Sequence, residues 1–421
     1  MLEQTHRFMK KVAIAFFILL VVAGATFVTL RPQLAKKAYY SGRELADSAQ
    51  FEQAIEQYSK AIRYKSSIAN YYFARGEAYL ALDLDSIAIT DFNKAIELNP
   101  GHFDYFLQRG ISKRKLRAID DAMQDVNRAI EMNDSSAAAY YQRGLLFAAQ
   151  NNYDAAIKDY NRSIELDGSN LEAFYSRGET RANLDDFMGA IADYDKMIEG
   201  ADAPADAYKQ RGIFKLKIQD FEGAESDLTL AAEHDATDKE TLYQLGQAKH
   251  NLNKVDESID IFNRVLKLDP NYDLAYGARG GAHLKKNNFR QAVSDFTKAV
   301  ELNPTYKRAY YGRGIAKAMQ QDYKGSITDF TKVIEIDKEF AQAYYNRAVS
   351  KAILGQHQEA LPDYDYIISR DSRNAEAFYN RGISRMNVRD TEGACNDFRR
   401  AVELNYQPAE PMLKMYCRSQ Q

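Results

Sequence analysis

Residues 310–343 read YYGRGIAKAMQQDYKGSITDFTKVIEIDKEFAQA, and a related pattern recurs every 34 residues along most of the chain. An Arg-Gly pair at 313–314 marks the register. Equivalent pairs stand at 75–76, 109–110, 143–144, 177–178, 211–212, 279–280 and 381–382. Gly42 and Gly246 hold the glycine position without the arginine, and Ala348 replaces the glycine once. We therefore count eleven repeats, from repeat one at Gly42 to repeat eleven at Gly382.

The other positions of the repeat follow the same register. A small residue stands twelve places after each glycine position, and a bulky apolar residue stands sixteen places after it. Within each half of the repeat, apolar residues are spaced three and four apart, which is typical of amphipathic helices. The small residues allow two helices to approach closely, and the large ones fill the space around that contact. The pattern predicts an all-α fold built from antiparallel helix pairs.

This period and these positions resemble the tetratricopeptide-repeat (TPR) family. The resemblance covers residues 35–408 and implies a right-handed α-solenoid, followed by a capping helix in residues 409–421. The family usually has tryptophan where this chain has tyrosine or phenylalanine. Residues 1–34 are expected to form a separate N-terminal segment, with Pro32 interrupting the helix that connects it to the repeats.

The N-terminal segment contains an uncharged run of 19 residues, from Val12 to Leu30. As a helix, this run would be about 28 Å long, close to the thickness of the hydrocarbon core of a bilayer. It predicts a single membrane anchor. The alternative is a cleaved signal peptide, with a small-residue cleavage pattern at 23–25 and a secreted mature chain starting at Thr26.

No motif for catalysis or for a cofactor is present. The sequence has no glycine-rich phosphate loop, no His-Glu-x-x-His zinc helix, no acidic calcium loop and no nucleophile elbow. A zinc site would need more ligands than His250 and His283, which lie on neighbouring first helices. A net charge of −3 argues against a nucleic-acid partner. We expect no enzyme activity, no cofactor, no metal and no small-molecule substrate.

An aspartate stands fifteen places after the glycine position in nine repeats, and these are the nine that carry the arginine. Repeat one has Ser41 with Gln57 instead, and repeat seven has Leu245 with Ile261. Because both residues are absent together, they are interpreted as ion pairs between the two helices of a repeat. The alternative is a stripe of arginines that binds acidic ligands.

The resemblance to TPR proteins also implies a concave face lined by the first helices. Its groove positions are the residue three before the glycine position and the residue one after it. The candidate partner-binding residues at these positions are Tyr141, Tyr175, Tyr243, Tyr311, Ile315, Tyr345, Val349, Tyr379 and Ile383. Tyrosine combines a large apolar face with one polar group, which suits the binding of a partner. The competing interpretation is that these rings only pack between neighbouring helices.

The family's clamp for carboxylate ligands needs lysine and asparagine at set groove positions. Lys209 occupies one of them, but Ile213 stands in place of the asparagine, which disfavours that ligand class. Two functions remain open: a membrane-tethered scaffold that binds a partner protein or peptide, and a periplasmic or secretory chaperone that holds extended clients. One stoichiometric partner would indicate the first, and a mixed set of unfolded clients the second.

The only two cysteines, Cys395 and Cys417, lie eleven residues on either side of Tyr406. Residues equidistant from the turn of a helical hairpin lie at the same height, so the two thiols are expected to face each other. The ending also resembles that of exported bacterial TPR proteins. A disulfide would indicate a solenoid on the periplasmic or extracytoplasmic side of the membrane. The alternative is a pair of free thiols in a reducing compartment.

Overall fold

The computed structural model describes residues 2–199 and 204–417, with side chains described throughout except at residues 2–6, 8, 12 and 19–28. Regular structure in these ranges is α-helical. The chain divides into two compact units, Met1–Asp202 and Ala203–Gln421. Each unit is a row of helix pairs, as the sequence pattern predicts.

The first unit contains the helices of repeats one to five. Their bounds are α1 Leu2–Asp47, α2 Phe51–Tyr64, α3 Ala69–Ala81, α4 Asp85–Leu98, α5 Phe103–Lys115, α6 Ile119–Met132, α7 Ala137–Ala149, α8 Tyr153–Leu166, α9 Leu171–Ala182 and α10 Phe187–Ile198.

The second unit contains repeats six to eleven and a terminal helix. Their bounds are α11 Ala205–Lys217, α12 Phe221–His234, α13 Lys239–Asn251, α14 Val255–Leu268, α15 Asp273–Lys285, α16 Phe289–Leu302, α17 Lys307–Met319, α18 Tyr323–Ile336, α19 Ala341–Ile353, α20 His357–Arg370, α21 Ala375–Asn387, α22 Thr391–Glu403 and α23 Ala409–Tyr416.

The glycine of each repeat allows the first helix to contact a large side chain of the second. In repeat four, a Cβ atom on Gly144 would lie 2.5 Å from Cε1 of Tyr160, closer than real side chains approach. Tyr160 is fully buried, as is Ala156 one turn earlier on α8. Consecutive helices pack on each other throughout each unit, so that each repeat shares its core with its neighbours.

The turn between the two helices of every repeat contains one residue in the left-handed conformation. It stands seven places after the glycine position, as with Arg117 at φ 61° and Gln219 at φ 63°. The next backbone N–H bonds back to a carbonyl five residues earlier, as from Ala118 to Lys113, which closes the helix end in the Schellman manner. Glycine fills this position once, at Gly355.

Helix α1 corrects one prediction about the N-terminus. It is a single helix of 46 residues, and Pro32 lies inside it without ending it. Proline lacks one N–H donor, and the helical turns on either side carry the helix across this position. The second helix of repeat ten, α20, likewise continues through Pro362.

Among the described residues, the structure finds no helix that is long and apolar enough to cross a membrane. The anchor predicted for Val12 to Leu30 lies in part outside the described residues. Residue 12 and residues 19–28 of that run are among those whose side chains are not described.

The last helix, α23, packs on α22 of repeat eleven. A disulfide joins Cys395 of α22 to Cys417 directly after α23, with the two Cα atoms 5.7 Å apart. Cys395 is buried, as is Ala409 at the start of α23. The disulfide therefore holds the terminal helix against the last repeat.

Candidate protein-binding groove

The arginine and the aspartate of each repeat form an ion pair in all nine repeats that carry both. In repeat four, the guanidinium of Arg143 donates to both carboxylate oxygens of Asp159, at 2.7 and 2.9 Å. This hydrogen bonding raises the pKa of Arg143 above its usual value. The other pairs are Arg75–Asp91, Arg109–Asp125, Arg177–Asp193, Arg211–Asp227, Arg279–Asp295, Arg313–Asp329, Arg347–Asp363 and Arg381–Asp397. The aspartates are buried, so the arginines serve the fold rather than a free anion-binding stripe.

In repeats two to five and eight to eleven, the arginine also donates a hydrogen bond to the preceding repeat. Arg143 donates to Asn127 Oδ1 at 3.1 Å, and Asn127 lies on the second helix of repeat three. Arg313 and Arg347 reach threonines at the equivalent position. The guanidinium also lies over an aromatic ring of its own helix, 5.4 Å from the centre of Tyr140 in repeat four. The Arg143 side chain thus links its own helix to both the second helix of its repeat and the second helix of the preceding repeat.

A second cation, which the sequence analysis missed, contacts the aspartate in several repeats. It stands three places after the glycine position. In repeat nine, Lys317 Nζ lies 2.8 Å from Asp329, which also pairs with Arg313. The equivalents are Lys113, Arg181, Lys215, Lys351 and Arg385. Repeat four has Phe147 at this position, so Asp159 has no second cation there.

The predicted groove residues are all half-buried: Tyr141, Tyr175, Tyr243, Tyr311, Ile315, Tyr345, Val349, Tyr379 and Ile383. Each tyrosine contacts the ring on the second helix of its own repeat. The ring centroids of Tyr311 and Phe330, for example, lie 5.8 Å apart. One part of each ring therefore packs in the fold while another part stays accessible. The packing role is confirmed, and partner binding by these residues stays a prediction. Tyr141 and Tyr175 belong to the first unit and the others to the second.

In the last three repeats, neighbouring first helices are linked through groove tyrosines. Asn346 Nδ2 donates to the Tyr311 hydroxyl at 2.9 Å, and Asn380 Nδ2 donates to the Tyr345 hydroxyl at 3.0 Å. Burial, followed by a hydrogen bond to Glu376, raises the pKa of Tyr345. The phenols thus remain neutral and fixed in position. The position two before the glycine holds glutamine or serine in several earlier repeats and asparagine only in the last two. The sequence therefore contained a signal for these two hydrogen bonds, which the sequence analysis did not use.

Two neighbouring cavities open along this surface. One, of about 390 Å³, lies beside Tyr311 and Tyr345 and has a polar rim that includes Arg370 and Glu376. We call it the tyrosine cavity. The other, of about 270 Å³, is lined by Ile315, Ala318, Met319, Tyr323, Phe330, Asn346, Val349, Ser350 and Ile353. We call it the aliphatic cavity. Asn346 lines both cavities, so a ligand in one would lie next to the other.

The rim of the aliphatic cavity exposes apolar side chains to solvent. Met319 is 61% exposed and Ile353 is 55% exposed. They end the first helices of repeats nine and ten, one turn beyond Ile315 and Val349. A partner that covered this rim would remove apolar surface from water, which favours binding. Sequence reasoning placed Ile315 and Val349 in the groove but did not extend it to Met319 and Ile353.

Two further features from the sequence, Lys209 and the pair of histidines, have these surroundings in the structure. Lys209, considered for a carboxylate clamp, forms an ion pair of 2.8 Å with Asp238. His250 and His283 are half-buried, and in each case burial is the main cause that lowers the pKa of the imidazole. Within residues 2–199 and 204–417, no group of three or more His, Cys, Asp or Glu residues could hold a metal ion.

Sequence models of the tetratricopeptide repeat match four regions of the chain. They cover residues 42–83, 69–102, 137–170, 239–272 and 278–339, of which the first two overlap. The matches fall on the 34-residue register, and each covers paired helices of the structure. These regions contain tandem TPR repeats. TPR arrays are typically non-enzymatic scaffolds for protein–protein interaction.

Several solved structures resemble this chain, over a part of it or over most of its length. YrrB, described as a TPR protein with an unusual peptide-binding site, is 25% identical over 44% of this chain and 95% of its own, with a TM-score of 0.41. A TPR protein from Parabacteroides merdae is 20% identical over 58% of this chain and 97% of its own, at 0.43. Yeast Tom70 is 14% identical over 91% and 95%, at 0.40. At these TM-scores the likenesses carry no argument about a ligand. No curated protein matches the chain.

Proposed function

We propose that this TPR protein is a non-enzymatic scaffold that binds an extended segment of a partner protein along repeats nine to eleven. The observation that carries the proposal is the pair of neighbouring cavities that share Asn346. Their sizes suit individual side chains of a peptide better than a large cofactor. A peptide that lies across both cavities would place one side chain in each.

The chemistry of the two cavities sets what such a peptide must carry. The aliphatic cavity is rimmed by Met319 and Ile353 and favours an apolar side chain. The tyrosine cavity, rimmed by Arg370 and Glu376, favours a side chain with an apolar body and a polar end. Because the tyrosines are already fixed by neighbouring side chains, little entropy is lost when the partner binds.

Replacing Ile353 by glutamate tests the groove with little risk to the fold. The side chain is largely exposed, so the charge is tolerated in the free protein but must lose water when a partner covers it. We expect binding of the partner to weaken at least about tenfold, equal to about 1.4 kcal/mol. Ile87→Glu is the matched control, since Ile87 is 48% exposed on α4 of the first unit.

The partner is first obtained by cross-linking in intact cells and then titrated against both variants. Equal affinity of the Ile353→Glu protein and the natural protein would rule out the groove. One stoichiometric partner supports the scaffold. A heterogeneous set of unfolded chains would instead support the chaperone alternative.

We also propose that residues 12–30 tether the protein to a membrane, with the repeats on the extracytoplasmic side. The uncharged run from Val12 to Leu30 supports the tether, and the pairing of Cys395 with Cys417 supports an oxidising compartment. The protein is expected to stay with the membrane fraction after a carbonate wash. Protein alkylated in cells should show both cysteines protected from alkylation.

A soluble mature chain that starts at Thr26 would contradict the tether and establish cleavage. Two fully alkylated thiols would contradict the oxidising compartment. The two readouts are independent, so either part of this proposal can fail alone.

A further inference from the structure

A cavity of about 380 Å³ in the first unit is bounded by α1, α2, α3 and the start of α5. Five of its lining residues carry phenyl or phenol rings: Tyr39, Phe51, Tyr58, Phe73 and Tyr105. Two pairs of these rings are in contact, with centroids 5.9 Å apart for Tyr39 and Tyr58 and 4.7 Å apart for Phe73 and Tyr105. The cavity therefore has aromatic walls that belong to three consecutive repeats.

The carboxylate of Glu77 lies in this aromatic cavity without a partner. Glu77 forms no hydrogen bond or ion pair with the residues that the structure describes. Glu179 occupies the same position in repeat five and accepts a hydrogen bond of 2.6 Å from the Tyr194 hydroxyl. The carboxylate at this position thus has a hydrogen-bond partner in repeat five and none in repeat two, where a ligand could bind it.

The surroundings of Glu77 disfavour its charge while the cavity is empty. The Glu77 side chain is exposed to solvent at the cavity, but the protein atoms around its carboxylate replace part of its water shell. This burial, with a smaller effect from Asp104, raises the pKa of Glu77 to about 7. A cation placed in the cavity would supply the missing partner and favour the ionised form.

The other charges around the cavity decide which ligand fits. Two carboxylates line it, those of Glu77 and Asp47, against one guanidinium, that of Arg43. Asp104 lies close enough to act on Glu77. Arg43 lowers the pKa of Glu77 but lies beyond ion-pair distance from it. The cavity is thus aromatic and negative, which is the combination that binds organic cations.

We infer that this aromatic cavity binds a cationic side chain, lysine or arginine, presented by a partner protein. The ammonium or guanidinium would pair with Glu77, and the aliphatic part of the side chain would contact the rings. The site lies in the first unit and does not depend on the groove of repeats nine to eleven. Its ligand has the opposite charge to that of a carboxylate clamp.

The test uses the full chain and small blocked amino acids, observed by saturation-transfer difference NMR, which detects weak binding. The probes are Nα-acetyl-lysine N-methylamide, the arginine analogue and the norleucine analogue, which keeps the carbon chain without the charge. At pH 8 we expect transfer to the lysine or arginine side chain and at least about fivefold less to norleucine. The two cationic probes show which source of positive charge is preferred.

Glu77→Gln should abolish the preference for the cationic probes, whereas Glu179→Gln, the matched control, should leave it unchanged. Arg43→Gln should strengthen binding because it removes a competing cation.

Binding of the cationic probes should also fall at pH 5.5, where Glu77 is mostly protonated. The groups that face Glu77 and can contribute to this pH dependence are Tyr39, Arg43, Asp47, Tyr58, His102, Asp104 and Tyr105. The Glu77→Gln variant isolates the carboxylate from them.

Thermal unfolding shows that the variant remains folded and gives an independent readout. The folded protein holds the Glu77 proton more tightly than the unfolded chain, whose glutamate pKa is about 4.3. The negative charge of Glu77 therefore lowers the stability of the folded protein above about pH 7. This destabilisation disappears below the pKa of glutamate in the unfolded chain. Glu77→Gln should raise the unfolding temperature at pH 8 and not at pH 4. Equal binding of norleucine and lysine, cation binding that survives Glu77→Gln, or no binding of any probe would each overturn the proposal.

Discussion

Replacing Asp159 by alanine is expected to lower the stability of the first unit by about 3 kcal/mol. The change leaves the guanidinium of Arg143 next to a buried site without its carboxylate, and breaking a buried pair costs about 3–5 kcal/mol. The lower end applies because 24% of the Arg143 side chain remains exposed. Urea unfolding followed by circular dichroism measures the loss, and hydrogen exchange locates it in repeats three to five. Asp260→Ala is the control, since Asp260 is exposed in the middle of a second helix.

The double variant Arg143→Leu with Asp159→Ile should recover much of that loss. It copies repeat seven, where Leu245 and Ile261 pack without charges in the same two positions. Repeat four suits this exchange because it has no second cation beside the aspartate. In repeat nine, the same exchange at Arg313 and Asp329 would leave Lys317 unpaired and should recover less. A double variant in repeat four no more stable than Asp159→Ala would contradict the account of the ion pairs.

Replacing Gly144 by alanine is expected to cost about 1–3 kcal/mol, the usual range for overpacking a filled core. The new methyl group would lie 2.5 Å from the ring of Tyr160, which is fully buried and has little room to move. Gly178→Ala should cost less, because the corresponding distance to Tyr194 is 3.0 Å. The two unfolding midpoints, measured under the same conditions, give the comparison directly.

The chain already contains a natural example of the tolerated substitution. Ala348 occupies the glycine position of repeat ten against Tyr364. In that repeat the ring planes of Tyr345 and Tyr364 make an angle of 72°. This is close to the 81° between Tyr175 and Tyr194 in repeat five. In repeat four the angle between Tyr141 and Tyr160 is 45°. The ring arrangement of repeat five thus resembles the one that accepts a methyl group. Equal losses for Gly144→Ala and Gly178→Ala would show that ring arrangement does not decide the cost.

The sequence was sufficient to predict the helix pairs because each position of the repeat has one packing role. A glycine such as Gly144, a small residue such as Ala156 and a ring such as Tyr160 specify one contact, and the period repeats it. The ion pairs followed from the joint loss of Arg and Asp in two repeats. The groove positions came from the resemblance to TPR proteins, and partner binding at them stays a prediction.

Other features could not be predicted because they depend on how side chains meet in space. The second cation, such as Lys317, occurs at a position where other repeats have Tyr79 or Phe147, so composition gave no clear signal. The left-handed turn position holds Arg117 and Gln219, which seldom indicate such a conformation. The cavities arise between neighbouring helices, from residues that stand far apart in the repeat.

Site-specific photo-cross-linking in intact cells tests the proposed groove most directly. A benzophenone side chain is placed at Met319, on the rim of the aliphatic cavity, or at Leu230, which is 39% exposed on α12 of the same unit. The proposed function predicts one discrete cross-linked partner from position 319, strongly reduced when Ile353→Glu is added, and no such product from position 230. The same product from both positions, or a product from position 319 that Ile353→Glu leaves unchanged, would contradict it.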